Sequence, residues 1–244
     1  SLGAEYLATG HYARIESSGD EYRLLKGVAP SSDQSYFLYT LGQWELPHLL
    51  FPLGNYNKSE VRHMAAERGL PTADKPKSQD LCFISNGNYR GFLKEYVPSI
   101  PGKIIDTQGK VLGKHQGIAL YTIGQRMGLG LSLGKRLYVI AIDADSNTLV
   151  VDVENMLFAS QLLATRVSFV GEMPPQHTAI IAKIRYKSPG ASAVLYPQED
   201  GVEVRFHQPQ RAITPGQAVV FYQADQVLGG GIIDNMKSLG QRVK

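Results

Sequence analysis

The 244-residue chain holds one cysteine, Cys82, in the string Lys77-Ser78-Gln79-Asp80-Leu81-Cys82-Phe83-Ile84. A thiol becomes a nucleophile or a sulfur carrier once it is deprotonated, and Lys75, Lys77 and Asp80 are close enough in sequence to tune that step. The flanking Leu81, Phe83 and Ile84 suit an inert buried thiol equally well. No histidine stands at a spacing diagnostic of a protease-like pair. A single cysteine rules out a disulfide framework within the chain and points to a reducing cytoplasm.

Three further strings carry chemistry-bearing residues. In Ala8-Thr9-Gly10-His11-Tyr12, Gly10 would let a nucleotide approach the backbone at the carboxyl end of a parallel strand; the same string also reads as a plain turn. Ser32-Asp33-Gln34-Ser35-Tyr36 opens an apolar element, as a helix cap does, and could also offer Asp33 and Gln34 to base edges or ribose hydroxyls. The glycines of Gly113-Lys114-His115-Gln116-Gly117 and Tyr121-Thr122-Ile123-Gly124-Gln125-Arg126 fit neither a P-loop nor a dinucleotide fingerprint, and tight turns between strands explain them. The six histidines are scattered, so no metal-ligand cluster is expected.

The elements that must position these residues change in texture along the chain. Residues 1–40 read as α/β material: a short buried strand at Tyr6-Leu7-Ala8, then a hairpin of Ala13-Arg14-Ile15 and Tyr22-Arg23-Leu24-Leu25-Lys26 around the polar Ser17-Ser18-Gly19-Asp20. Periodicity leaves Ser35–Leu41 open between helix and strand. A helix is predicted from about Lys58 to Arg68, with Asn57 and Glu60 forming a capping box, Val61, Met64 and Ala65 on one face, and Gly69 and Pro71 ending it. Beyond Leu157 short strands dominate. Ala182, Ile184 and Tyr186 alternate with Lys183 and Arg185 as a half-buried strand would, and Val202–Phe206 and Ala218–Tyr222 repeat the theme, suggesting a small antiparallel barrel or sandwich.

Composition sets outer bounds. With 43% hydrophobic and 19% charged residues the chain is an ordinary globular protein, and no apolar run is long enough for a membrane span. Residues 1–5 lack the basic and apolar regions of a secretory signal, so none is expected. A net charge of +3 does not by itself argue for nucleic-acid binding.

Taken in order, Ala8-Thr9-Gly10-His11-Tyr12, Asp33-Gln34-Ser35-Tyr36-Phe37-Leu38, Ser78-Gln79-Asp80-Leu81-Cys82-Phe83-Ile84 and Tyr121-Thr122-Ile123-Gly124-Gln125-Arg126 closely resemble the bacterial tRNA-specific 2-thiouridylase (MnmA) family, from Leu2 to about Asp234. The resemblance implies a fold of α/β plus β: a Rossmann-like adenine-nucleotide (PP-loop) domain, a small central domain and a C-terminal antiparallel β-barrel. It assigns residues 1–95 to the nucleotide domain with the Cys82 segment, 96–154 to the central domain and 155–244 to the barrel. The family's Ser-Gly-Gly-Val-Asp-Ser type loop and its first catalytic cysteine are absent from this sequence, so an N-terminally truncated chain, inactive alone, is expected.

The reaction implied is ATP-dependent 2-thiolation of the wobble uridine of tRNAs for Lys, Glu and Gln. The C2 oxygen is adenylated, and persulfide sulfur from a sulfur-relay donor protein replaces it. Cys82 matches the cysteine that carries the persulfide, Gly10 an ATP contact and His11 a tRNA contact. Ser32, Asp33 and Gln34 match a tRNA-contacting loop, with Ser32 standing where many relatives carry Lys; Arg185, Tyr186 and Gln217 match tRNA-touching positions of the barrel. ATP and Mg2+ are expected mainly through the missing segment, no membrane partner is expected, and the compartment implied is the cytoplasm. Two rivals stay open: a non-catalytic tRNA-binding module, and a different ATP-pyrophosphatase such as an amidotransferase or a methyltransferase-like tRNA enzyme. Neither needs the thiol of Cys82.

Overall fold

The computed structural model describes residues 3–71, 73, 89–97 and 99–234. The chain divides into two compact units: Ser1–Lys75, Ser160–Gln208 and Thr214–Gly240 form the first, and Pro76–Ala159, Pro209–Ile213 and Gln241–Lys244 the second.

In the first unit β1 (Leu7–Ala8) runs parallel to β4 (Leu49–Leu50), with Leu7 opposite Leu49. The expected strand at Tyr6–Ala8 is therefore present and parallel. It is not buried, since Tyr6 and Leu7 are 58% and 61% exposed. The reason is local: it is two residues long and pairs, among the described residues, along one edge.

The hairpin forms as expected, β2 (Ala13–Ser18) against β3 (Glu21–Lys26), turning through Gly19 at φ +63°. Gln43 reads the edge of that hairpin like a strand. Its side chain accepts from Tyr22 N–H and donates to the carbonyls of Tyr22 and Val170. Ser35–Leu41 is neither long helix nor strand: a single 3-10 turn, Ser35–Phe37, buries Ser35 and Tyr36. Helix α1 (Lys58–Glu67) has the predicted capping box, and its three least exposed residues are Val61, Met64 and Ala65. It ends in a Schellman motif, with Gly69 N–H on the Ala66 carbonyl and Leu70 N–H on that of Ala65.

The second unit holds α2 (Tyr89–Tyr96) and a four-stranded sheet of two hairpins, β5 (Gly102–Ile105) with β6 (Val111–His115) and β7 (Tyr138–Asp143) with β8 (Thr148–Asp152). The order is β6-β5-β8-β7, with β5 and β8 parallel. Its core gathers Ile104, Leu129, Leu137, Val139, Leu149 and Val151. His115 is buried beside it. Nδ1 accepts from Gly117 N–H, so the proton sits on Nε2 and is donated to the Asn147 carbonyl. A Cβ at Gly102 would lie 2.0 Å from that same carbonyl oxygen, which leaves room for glycine alone.

The last six strands are β9 (Phe158–Phe169), β10 (Thr178–Lys183), β11 (Ala191–Gln198), β12 (Gly201–Arg211), β13 (Ala218–Gln223) and β14 (Gln226–Ile233). They run β13-β10-β11-β12-β9-β14, and pairing of β13 with β14 closes them into an antiparallel barrel, which decides between the barrel and the sandwich that the strand pattern left open. Closure is tight at Gly229-Gly230. A Cβ at the first would meet the Ser168 carbonyl oxygen at 2.2 Å, and at the second the Val219 carbonyl oxygen at 2.5 Å.

The N-terminal hairpin adds to this sheet. Leu25 pairs with Gln226, Lys26 N–H donates to the Asp225 carbonyl, and Lys26 Nζ donates to that of Ala224. One core results, in which Ala13, Leu24, Tyr36, Leu38 and Leu46 pack with Val170, Val220, Tyr222 and Val227.

Candidate nucleic-acid interface

The loop after β1 begins with Thr9 N–H on the Leu50 carbonyl at 3.0 Å, which carries the parallel pairing one residue further. Gly10 follows, exposed, and a Cβ there would meet Leu53 Cδ1 alone, at an ordinary 3.7 Å. No neighbour among the described residues requires glycine at this position. A bare backbone at the carboxyl end of a parallel strand suits the close approach of a nucleotide. His11 is half-buried, with Nδ1 2.9 Å from the Thr9 hydroxyl and its ring edge-on to Phe51. A cleft of about 460 Å³ lies nearby, lined by Tyr6, Arg14, Tyr22 and Phe51, but neither Gly10 nor His11 lines it.

The Ser32–Phe37 loop is tied to the residue after His11. Gln34 N–H donates to the Tyr12 carbonyl, and Gln34 Oε1 accepts from Tyr12 N–H. Ser32 and Asp33 are 4% and 7% exposed. The Asp33 carboxylate accepts from Gly27 N–H, Ser35 N–H and the Ser35 hydroxyl at 3.0–3.1 Å. An ionised carboxylate only accepts, so the Ser35 proton points to Asp33, and Tyr222, 3.2 Å away, must donate its own proton to Ser35 Oγ. Burial pushes the Tyr222 phenol above its ordinary pKa. Ser32 and Asp33 are thus both buried, and the Asp33 carboxylate ties the loop together.

Tyr36 is anchored next to them, its hydroxyl donating to the Ala218 carbonyl at 2.9 Å. Burial pushes its phenol up to about 12, nearby Tyr39 adds to the rise, and Arg185 opposes it.

The expected strand through Arg185 and Tyr186 stops early. Ala182 and Ile184 are buried as the alternation requires, but β10 ends at Lys183 and residues 184–188 turn, with Ser188 N–H on the Arg185 carbonyl. Tyr186 swings onto the Ser32–Phe37 loop, its ring 4.5 Å from Phe37 and 6.1 Å from Tyr36 between centroids. Burial and the charge of Asp33 raise the Tyr186 phenol pKa. Arg185 Nη2 donates to the Thr214 hydroxyl at 3.0 Å. Gln217 N–H donates to the Thr214 carbonyl, and the Gln217 carbonyl accepts from Ile233 N–H, so its exposed side chain stands on the same turn. Lys183 has its ammonium 6.0 Å from the Tyr186 ring centroid, and its pKa is lowered by burial foremost, with Asp33 opposing and Lys26 adding.

A continuous path of bonds and ring contacts therefore joins the loop after β1, the Ser32–Phe37 loop, the Arg185-Tyr186 turn and the Thr214–Gln217 turn within one unit. Cys82, with the Ser78–Ile84 string around it, lies outside the described residues. Among the described residues no three His, Cys, Asp or Glu side chains gather to hold a metal ion, and no helix is long and apolar enough to cross a membrane.

Sequence reasoning passed over Ser35, Phe37, Lys183, Thr214 and Tyr222, which build this surface. Ser35 and Phe37 lie inside motifs legible in the sequence, but nothing local marks Tyr222 as the partner of Ser35, 187 residues away.

Three family domains match the chain in succession: a tRNA methyl transferase HUP domain over residues 1–86, a tRNA methyl transferase PRC-barrel domain over 90–152 and an aminomethyltransferase β-barrel domain over 159–233. The chain is 47% identical over 239 residues to the tRNA-specific 2-thiouridylase MnmA of Acetivibrio thermocellus, covering 96% of this chain and 67% of that protein. It is 47% identical to the protein of the same name from Roseiflexus castenholzii, covering 96% and 68%, and 45% identical to that of Moorella thermoacetica, covering 98% and 69%. The chain spans about two thirds of the length of these curated relatives.

Proposed function

From the premise that this chain belongs to the tRNA-specific 2-thiouridylase family, we propose that it serves the ATP-dependent 2-thiolation of the wobble uridine of tRNA. In this reading His11, Gln34, Arg185, Tyr186 and Gln217 meet the RNA, with the buried Asp33, beside Ser32, holding the loop that does so. The observation that carries the reading is the convergence of these residues, from opposite ends of the sequence, on one bonded surface of one unit. The order of the three matched domains agrees with it.

A uracil C2 carbonyl is a weak electrophile, and its oxygen a poor leaving group. ATP, held against the bare backbone at Gly10, would supply the adenylyl group that makes that oxygen leave as part of AMP. Cys82 is the residue assigned to carry the persulfide sulfur. Its terminal sulfur forms the new bond to C2 as the C2–O bond breaks, a step that suits a soft, readily ionised nucleophile. Freeing that sulfur from Cys82 breaks the persulfide S–S bond and requires a second thiol. Cys82 is the chain's one cysteine, so the second thiol comes from outside residues 1–244. The sulfur donor protein, the Lys, Glu and Gln isoacceptors, Mg2+ and a cytoplasmic setting belong to the same proposal.

The test is thiouridine formation on an unmodified tRNA with ATP and a persulfide donor, using the full-length gene product. Cys82→Ser should abolish the product and leave tRNA binding intact, because serine keeps the shape and loses the soft nucleophile. Undiminished thiolation by Cys82→Ser would remove the thiol from the mechanism and favour a methyltransferase-like or purely binding role.

A further inference from the structure

Within the Ser35–Leu38 stretch Ser35, Tyr36 and Leu38 are buried, and Phe37 alone is turned out, 53% exposed. The 3-10 turn causes this, since successive side chains project about 120° apart around so tight a helix. Phe37 is also well supported. Its ring lies 4.5 Å from Tyr186 and edge-on to Tyr36 at 5.5 Å, and Tyr36 is pinned by its hydroxyl to the Ala218 carbonyl. An apolar ring held rigidly at the surface costs little further entropy when something flat settles on it.

The surroundings select what that something is. Lys183 places its ammonium 6.0 Å from the Tyr186 ring centroid, and Arg185 precedes Tyr186 on a turn fixed by Thr214. Asp33, the carboxylate whose charge acts on both Lys183 and Tyr186, is buried and committed to three internal hydrogen bonds. A single outward aromatic ring bordered by cations does not suit an apolar peptide, which would need a wider greasy groove. It suits a polyanion whose units each carry a flat π face.

We propose that Phe37, backed by Tyr186, is a stacking ledge for an unpaired base of the bound tRNA, with Lys183 and Arg185 meeting the phosphates on either side of that base. This rests on the tRNA reading above and adds to it a residue and a mode of contact.

The test uses the 244-residue chain and an unmodified tRNA transcript, with affinity measured at two salt concentrations. Phe37→Ala should bind about 5- to 150-fold more weakly, the effect of removing one base–aromatic stack. Phe37→Leu, apolar but without a π face, should lose most of that affinity too, and Phe37→Trp should keep it. The salt dependence should stay that of the parent in all three, because no cation is removed. Since Trp44 is the only native tryptophan, Phe37→Trp in a Trp44→Phe background gives a direct optical signal, which tRNA should quench. Parent-like binding by Phe37→Ala or Phe37→Leu, or no quenching at saturating tRNA, overturns the ledge while the tRNA reading stands. Failure of the parent chain to bind tRNA overturns both. Should Phe37→Ala lose its fold, the Phe37→Leu and Phe37→Trp measurements decide.

Discussion

Asp33 offers a direct way to separate holding a loop from touching RNA. Its carboxylate is 7% exposed and satisfies three donors, Gly27 N–H, Ser35 N–H and the Ser35 hydroxyl. In Asp33→Ala the hydroxyl can turn to Tyr222, but the two amide groups are left without an acceptor. Each buried donor so orphaned costs about 1–3 kcal/mol, so a loss of about 2–4 kcal/mol is expected once some water reaches the gap. Asp33→Asn keeps Oδ1 for both amides and replaces only the oxygen that faces Ser35. The Ser35 hydroxyl then accepts from the new NH₂ and Tyr222 has to reverse its proton, a change of about 1 kcal/mol.

Urea unfolding followed by circular dichroism should therefore rank the parent above Asp33→Asn, and Asp33→Asn well above Asp33→Ala. tRNA affinity should follow the same order, because the loop carries Gln34 and Phe37. If Asp33 instead faced RNA phosphates directly, removing its charge would tighten binding in both variants. Equal stability of Ala and Asn variants, or an Asp33→Ala chain within about 0.5 kcal/mol of the parent, would refute the assignment of this carboxylate as the organiser of the loop; changes that small are typical of sites away from structural features.

Two further outcomes are expected. Arg185→Ala should weaken tRNA binding by about 1–3 kcal/mol and make its salt dependence shallower, while Gln217→Ala, uncharged, should cost less and leave the salt slope as it was; filter binding at two salt concentrations reads both, and unchanged affinity in the pair would leave the barrel a structural part only. Stability should also fall at alkaline pH: an unfolded tyrosine releases its proton near 10, the folded Tyr36 holds it to about 12, and the stabilisation present below pH 10 is lost as pH rises through 12. Tyr36→Phe should flatten that part of the curve of urea midpoints against pH, and a parent curve flat from pH 9 to 12 would contradict it.

What could be read in advance was what neighbours in sequence decide. The capping box of Asn57 and Glu60, the Gly69 stop, the hairpin around Gly19 and the alternation within β10 all depend on side chains a few residues apart, whereas in Ala218–Tyr222 the expected alternation fails because Val219 to Tyr222 are all buried. The motifs around Gly10, Asp33 and Arg185 were visible for the same reason. Distant pairing was not. Nothing near Leu25 says that β3 adds to a barrel strand at Gln226, and nothing near Tyr186 says that a Phe37 ring waits for it. The alternation through Arg185 overstates the strand, since it persists for one residue, Ile184, beyond the last paired residue, Lys183. Tyr6 and Leu7 are apolar yet exposed because their strand is two residues long and paired along one edge among the described residues.

The bond from Lys26 to the Ala224 carbonyl spans 198 residues, and that span has a consequence during synthesis. At about 5–20 residues per second a ribosome needs roughly 10–40 s to deliver β14 after the hairpin has emerged. Through that interval Leu24 and Leu25 have no barrel to pack against, while the sheet of the second unit can already close behind them. The nascent hairpin is then a sticky, half-finished edge, and the cell must either shield it or tolerate its loss to aggregation. Slowing translation between residues 26 and 226 should therefore lower the soluble yield of this protein more than slowing it after Ile233.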